Sequence, residues 1–231
     1  MNVIKCSWRR WESRSPRVAT FTSLLGLVSL ISVSAAYSRA STVSYSGTFV
    51  GDDQVAQYSY TTPGAGPVIF STDSYGGGTF NGVTTAAGGF VPVISVFNAA
   101  NGVLLGSDGG DGICSAGMAA DVTTNMCDDA SLSLTLGTGS YVVAVSEFFN
   151  VPVGPNLSDG FLEQGQGNFT GGTCGTSGAF YETDVAPCVQ RDGNFTLNIS
   201  AVPEPTTLGL GVLAIAAGLM GRRVRSRKSL N

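Results

Sequence analysis

Apolar and polar residues alternate in four stretches of the middle of this chain: Val43-Ser44-Tyr45-Ser46-Gly47-Thr48-Phe49, Gln57-Tyr58-Ser59-Tyr60, Leu132-Ser133-Leu134-Thr135-Leu136 and Phe195-Thr196-Leu197-Asn198-Ile199. A repeat of two sends successive side chains to opposite faces, so each stretch reads as a strand with one face buried. Val68-Ile69-Phe70, Val93-Ile94-Ser95-Val96-Phe97 and Tyr141-Val142-Val143-Ala144-Val145 are denser apolar runs and predict strands in the middle of a sheet. Turn chemistry separates them at Pro63-Gly64, Asn81-Gly82, Asn101-Gly102 and Gly137-Thr138-Gly139, and Asn101-Gly102 between two apolar runs is a strong hairpin signal. About eight strands at this spacing predict an all-β sandwich over residues 41–201. No segment inside that range sustains a helical period.

The flanks follow different rules. Lys5, Arg9, Arg10, Arg14 and Arg17 precede an apolar run from Phe21 to Val33, and small residues follow at Ser34-Ala35-Ala36. This order predicts a secretory signal helix over residues 1–36, exported by Sec-type machinery and cut after Ala36, with Ala40 as the second choice. At the other end, Val202-Pro203-Glu204-Pro205 leads into thirteen residues from Leu208 to Met220, then a basic cluster of Arg222, Arg223, Arg225, Arg227 and Lys228. Two prolines around a carboxylate keep the backbone extended and open to a processing enzyme. The apolar helix is short against the ~20 residues that cross a hydrocarbon core, which suits a transient membrane anchor. Arg and Lys stay on the cytoplasmic side, which places everything before Glu204 outside the inner membrane.

Tripeptide, apolar run and basic end, in this order over residues 202–231, resemble the PEP-CTERM sorting segment of Gram-negative bacteria. The resemblance implies recognition by the membrane-bound, transpeptidase-like enzyme exosortase, cleavage near Pro203-Glu204-Pro205, and release or transfer of the ectodomain to the surface of a cell that makes exopolysaccharide.

Setting both flanks aside changes the charge. Between residues 41 and 201 Arg191 is the one basic residue against fourteen acidic ones, a net charge of −13 where the whole chain carries −4. Such a surface repels polyanions and has no basic patch to neutralise phosphates, so nucleic acid is excluded as a partner and divalent cations are favoured. Cysteine usage agrees with export. Cys6 leaves with the signal, and Cys114, Cys127, Cys174 and Cys188 form an even set that predicts disulfides outside the cytoplasm. Of the three pairings four cysteines allow, the sequential one closes the shortest loops, each contributing roughly 3 kcal/mol in the chain-entropy model. A zinc site needs Cys-x-x-Cys knuckles or histidine partners; the sequence has neither, and no histidine at all.

The run Gly88-Gly89-Phe90-Val91-Pro92-Val93-Ile94-Ser95-Val96-Phe97-Asn98, the turn at Asn101-Gly102 and the segment Ser107-Asp108-Gly109-Gly110-Asp111 resemble the core of bacterial pre-peptidase C-terminal-type domains. Gly154 to Phe161, with Gly167-Asn168-Phe169-Thr170-Gly171-Gly172, is similar to a secreted subgroup that carries PEP-CTERM tails and has no established activity. The resemblance implies a jelly-roll-like sandwich. The chain departs from that pattern at two places: relatives commonly read Phe-Asp-Pro where Phe90-Val91-Pro92 stands, and often Asp at Asn98. A cation that those carboxylates help to hold would be bound more weakly here, or elsewhere.

Calcium is the cofactor this chemistry favours. Asp108 and Asp111 in their glycine-rich loop are the first candidates, with Asp52-Asp53 and Asp128-Asp129 behind them, because a hard cation takes six to eight oxygens. Catalysis has little to work with. Without histidine there is no Ser-His-Asp or Cys-His arrangement, and disulfides remove the thiols; only paired carboxylates drawn from Glu147, Asp159, Glu163 and Glu182 stay available, for glycoside hydrolysis. Among the aromatics, Phe148-Phe149 stands out, since two neighbours in a strand cannot both point inward. No regular Thr-x-Thr ladder of the kind an ice-lattice surface needs runs through the body. The expectation is therefore a non-enzymatic, exported protein of the cell surface or extracellular matrix, structural or adhesive and linked to exopolysaccharide. A calcium-dependent carbohydrate-binding module is the alternative, and a secreted glycoside hydrolase the third reading.

Overall fold

The computed structural model describes residues 41–201 except 63, 115–116 and 184–186. The signal segment 1–36, with its helix, and the sorting segment 202–231, with Val202 to Pro205, its helix and the basic cluster from Arg222 to Lys228, lie outside the described residues. Among the described residues no helix is long and apolar enough to cross a membrane.

Twelve strands are formed among the described residues. They are β1 (Ser41–Thr48), β2 (Val55–Thr61), β3 (Gly66–Asp73), β4 (Gly78–Phe80), β5 (Val83–Thr85), β6 (Pro92–Asn98), β7 (Leu104–Gly109), β8 (Ser131–Leu136), β9 (Ser140–Glu147), β10 (Tyr181–Glu182), β11 (Val189–Gln190) and β12 (Asn194–Ala201). Eight of them build two antiparallel four-stranded sheets, in the orders β1-β12-β3-β8 and β2-β9-β6-β7. The other four form two short ribbons, β4-β5 and β10-β11. All seven stretches selected by apolar pattern lie on strands. Both of the longer dense runs, Val93–Phe97 and Tyr141–Val145, occupy the central positions of their sheet, where burial on both faces leaves no room for polar alternation.

The alternation is used as expected. Val68, Phe70, Leu197 and Ile199 from the first sheet and Ile94, Val96, Val143 and Val145 from the second belong to one buried cluster. At one end of it, the rings of Phe49, Phe90, Phe180 and Phe195 pack with centroids 4.8–5.9 Å apart, a spacing that adds to the area they bury. The outer face of the second sheet is covered by the chain itself: residues 148–167 fold back over it and bury Phe161 beside Phe97 and Ala144, with Leu157 packed against them. The outer face of the first sheet carries mainly serine, threonine and asparagine, with Ile69 and Asp73 of β3 among them.

The turns behave according to their residues. Asn81 and Gly82 both take positive φ, 49° and 80°, and close the β4-β5 ribbon as a primed turn. Gly102 at φ 74° closes the β6-β7 hairpin. Gly137-Thr138-Gly139 differs from the rest, because it carries the chain from β8 in one sheet to β9 in the other. One helix, α1 (Phe169–Thr173), breaks the expectation of no helical segment; at five residues it is too short to leave a periodic trace in the sequence.

Register divides the ladders into two ends. Ser41, Ala201, Leu136, Thr61, Ser140 and Asn98 lie at one, where the connections 62–65, 99–103 and 137–139 are short and uncharged. Thr48, Asn194, Asp73, Val55, Glu147 and Gly109 lie at the other, which carries the long connections 49–54, 74–91, 110–130 and 148–193. Those long connections and the strand ends entering them hold every described carboxylate, and within the last of them the bridge from Val103 to Asn156 draws Asp159 towards the short turns.

Candidate functional site

The long-loop end is held by side chains. Disulfides join Cys114 to Cys127 and Cys174 to Cys188, the sequential pairing. Two such bonds are compatible with an extracellular or secreted protein. Arg191, the lone cation of the domain, ties the two closed loops together. Its Nη1 sits 3.0 Å from Asp121 Oδ2 in the first loop, and its Nε donates to Glu182 Oε2 in the second at 3.0 Å, with Nη2 donating to the same oxygen. The guanidinium lies 4.3 Å from the centroid of the Tyr75 ring, and the Tyr75 hydroxyl donates to Glu182 Oε1. Burial alone would raise the Asp121 carboxyl, but hydrogen bonds from Arg191 and from the Thr124 and Thr123 amides hold it below the usual carboxylate range. Burial and the Glu182 hydrogen bond push the Tyr75 phenol upward. A lone arginine among fourteen acids was visible in the sequence, but its burial was not, since arginine is mostly exposed unless paired.

A second buried set lies beneath. Asp52 is fully buried and accepts from the Thr170 amide and hydroxyl and from the Phe180 amide, which anchors α1 and the second disulfide loop to the β1-β2 connection. Glu147 is 5 % exposed at the inner end of β9. Burial, reinforced by the charge of Asp52, pushes its carboxyl well above the usual range. Its Oε2 has no hydrogen-bond partner among the described residues, and neither has Asn150 Nδ2 nearby in the chain.

The cation candidates are occupied locally. Asp108 Oδ2 accepts from the Ser131 amide at 2.8 Å, which joins the end of β7 to the start of β8, and Asp111 Oδ1 accepts from the Ile113 amide at 2.9 Å. Burial raises the Asp108 carboxyl and the charge of Asp111 adds to it, so the two are electrostatic neighbours. They supply two carboxylates of the six to eight oxygens that calcium takes. Among the described residues no group of three His, Cys, Asp or Glu side chains is drawn together. Asn98 turns its Oδ1 to the Ala100 amide inside the β6-β7 hairpin.

The carboxylates nominated for hydrolysis are dispersed. Glu182 belongs to the arginine triad, Glu147 is buried, Asp159 accepts from the Asn156 amide as the cap of a short 3-10 turn at Leu157–Asp159, and the Glu163 amide donates to Asn150 Oδ1. One ring of Phe148-Phe149 is exposed as expected, Phe148 being half-buried and Phe149 48 % exposed, but the pair lies in the turn after β9 and not in a strand, with Phe149 at φ 76°.

The feature that sequence reasoning missed is a groove on the first sheet. The β4-β5 ribbon stands beside the outer face of β1 and β12, and the two enclose about 410 Å³ of open space. Ser46, Thr48, Thr84, Thr85, Asn194 and Thr196 line it. Thr196 Oγ1 is hydrogen-bonded to Ser46 Oγ at 3.0 Å and to Thr85 Oγ1 at 2.7 Å, and Thr48 Oγ1 donates to Asn194 Oδ1 at 2.8 Å. Alternate polar residues in β1 and β12 were its one trace in the sequence. The groove lies at the long-loop end of the ladders, away from Ala201. No protein-family model matches this chain, and no curated protein proves detectably similar to it.

Proposed function

We propose that this protein is exported through Sec-type machinery, transiently anchored in the inner membrane by its C-terminal segment, and cut by exosortase at Val202-Pro203-Glu204-Pro205. It then serves at the cell surface or in the extracellular matrix in a structural or adhesive role linked to exopolysaccharide, without enzymatic activity. One observation supports this reading above the others: the two ends of the domain are unlike. Short uncharged turns surround Ala201, from which the chain passes towards the sorting motif, while both disulfides, the arginine triad and nearly all the acids lie at the other end. A domain tethered beyond Ala201 would keep its elaborated end clear of the tether. The strand orders β1-β12-β3-β8 and β2-β9-β6-β7 favour a jelly-roll-like sandwich: with the four ribbon strands left aside, each sheet alternates early and late strands as two Greek keys do.

The test is an intact-mass measurement on protein recovered from the culture medium and from the cell surface, with and without exosortase in the host. The expected product begins after Ala36 or Ala40, ends near Pro203-Glu204-Pro205 and lacks four cysteine hydrogens. Full-length chain in the cytosol with all five thiols reduced overturns the reading.

A calcium-dependent carbohydrate-binding module is the second reading, favoured by the mutual influence of Asp108 and Asp111. It requires a rise in melting temperature with calcium, reversed by chelator and absent in Asp108→Asn.

A further inference from the structure

We propose that the groove between the β4-β5 ribbon and the outer face of β1 and β12 is a binding site for a neutral polysaccharide chain. This rests on the adhesive reading above and names the ligand class and the residues.

Charge selects the class. The domain carries one cation and fourteen acids, yet the polar residues lining the groove, Ser46, Thr48, Thr84, Thr85, Asn194 and Thr196, carry no charge. An anionic polymer approaching it meets a repulsive field with no cation to neutralise it. A cationic ligand finds no carboxylate among the lining residues; Asp73, which pairs with Thr196 in the ladder, accepts from Asn198 Nδ2 at 2.8 Å. A polymer of hydroxyl groups pays neither penalty and matches the walls in kind.

Hydrogen-bond polarity sets how it is held. Thr48 spends its proton on Asn194 Oδ1, which leaves the Thr48 lone pairs as acceptors and the Asn194 Nδ2 hydrogens as donors side by side at the exposed end of the groove. A donor beside an acceptor suits two adjacent sugar hydroxyls. Deeper in, the chain Ser46–Thr196–Thr85 fixes three hydroxyls relative to one another, so little rotamer freedom is lost when a ligand docks. Phe195 borders the groove, but its ring is buried against Phe49 and Phe90, so binding proceeds without a stacking platform. Single contacts of this kind are weak, and a polymer gains from repetition. The surface continues in the same chemistry beyond the groove, through the cross-strand rows Ser44-Asn198-Ser71-Ser131 and Thr42-Ser200-Ile69-Ser133.

The experiment is affinity electrophoresis of the processed, disulfide-bonded protein through gels containing a soluble glucan, mannan or galactan, with alginate as the acidic comparison. At least one neutral polymer is expected to retard the wild type more than alginate does. Asn194→Ala and Ser46→Ala each remove one contact and weaken retardation about fivefold, the worth of one hydrogen bond. Ser46→Thr restores it, Gln57→Ala on the other sheet leaves it unchanged, and circular dichroism confirms that every variant is folded. Equal retardation of Asn194→Ala, Ser46→Ala and wild type overturns the site, stronger retardation by alginate overturns the ligand class, and no retardation by any of the four polymers overturns the proposal. Each of these results leaves export and processing standing, because those are read from mass and location alone.

Discussion

Arg191 meets Glu182 through two nitrogens on one carboxylate oxygen, and that contact fastens one end of the domain. Both residues are at most 8 % exposed, and Asp121 completes the triad. Breaking a buried pair by removing one member leaves charges without solvent or partner and costs about 3–5 kcal/mol. Arg191→Met is expected to lose that much in urea unfolding. Arg191→Met combined with Glu182→Gln and Asp121→Asn should recover a large part, since no buried charge is then stranded.

The disulfides span 13 and 14 residues, and each constrains the unfolded chain by roughly 3 kcal/mol. Replacing either pair by alanine is expected to lower the unfolding free energy by about that amount. Chemical denaturation with and without reductant checks this.

Glu147 is held neutral more strongly in the folded chain than in the unfolded one, by burial first and by the Asp52 charge second. Asp129 moves the same way, to about 6, chiefly through burial. The folded state therefore binds more protons than the unfolded state over the range between their two affinities. Stability from these groups is complete below about pH 4, where both states are protonated, and falls as pH rises through the folded-state values. Unfolding free energy is expected to decline from about pH 5 towards pH 8, and Glu147→Gln to flatten that decline. A wild-type profile that rises over this interval contradicts the assignment; Asp121, held below the usual carboxylate range, acts only below about pH 4.

Gly193 precedes β12 at the mouth of the groove, where a methyl group in place of its hydrogen would stand 2.1 Å from the Phe49 carbonyl oxygen. Backbone cannot yield as a flexible side chain does. Gly193→Ala should therefore break the hydrogen bond from the Phe49 amide to the Gly193 carbonyl and destabilise the domain by about 1–3 kcal/mol, measured by thermal unfolding.

Much of this architecture was legible before any coordinates. Val93–Phe97 and Tyr141–Val145 are dense because both faces of their sheet are covered, Val43–Phe49 and Phe195–Ile199 alternate because their sheet buries one face, and Asn81-Gly82 turns because asparagine and glycine tolerate positive φ. Cysteine spacing pointed to the pairing, whereas the solitary Arg191 entered the sequence reading only as charge, and its buried partners came from the structure. Asp108 and Asp111 were read as members of one glycine-rich loop, but Asp108 lies on β7 and only Asp111 is in the loop, and their commitments to the Ser131 and Ile113 amides depend on how the chain returns to β8. Helix α1 left no period to read, being a little over one turn long.

Strand positions, the acidic balance of the body and the contrast between its anionic middle and cationic flanks belong to the sequence alone, because each follows from the identity of residues within a few positions of one another. The groove and the triad belong to the tertiary structure. Ser46 and Thr196 are 150 residues apart and Thr85 and Thr196 are 111 apart, and only cross-strand register brings such hydroxyls within hydrogen-bond reach. Register is decided by which faces the core buries, a property of the assembled sheets that no local run of residues contains.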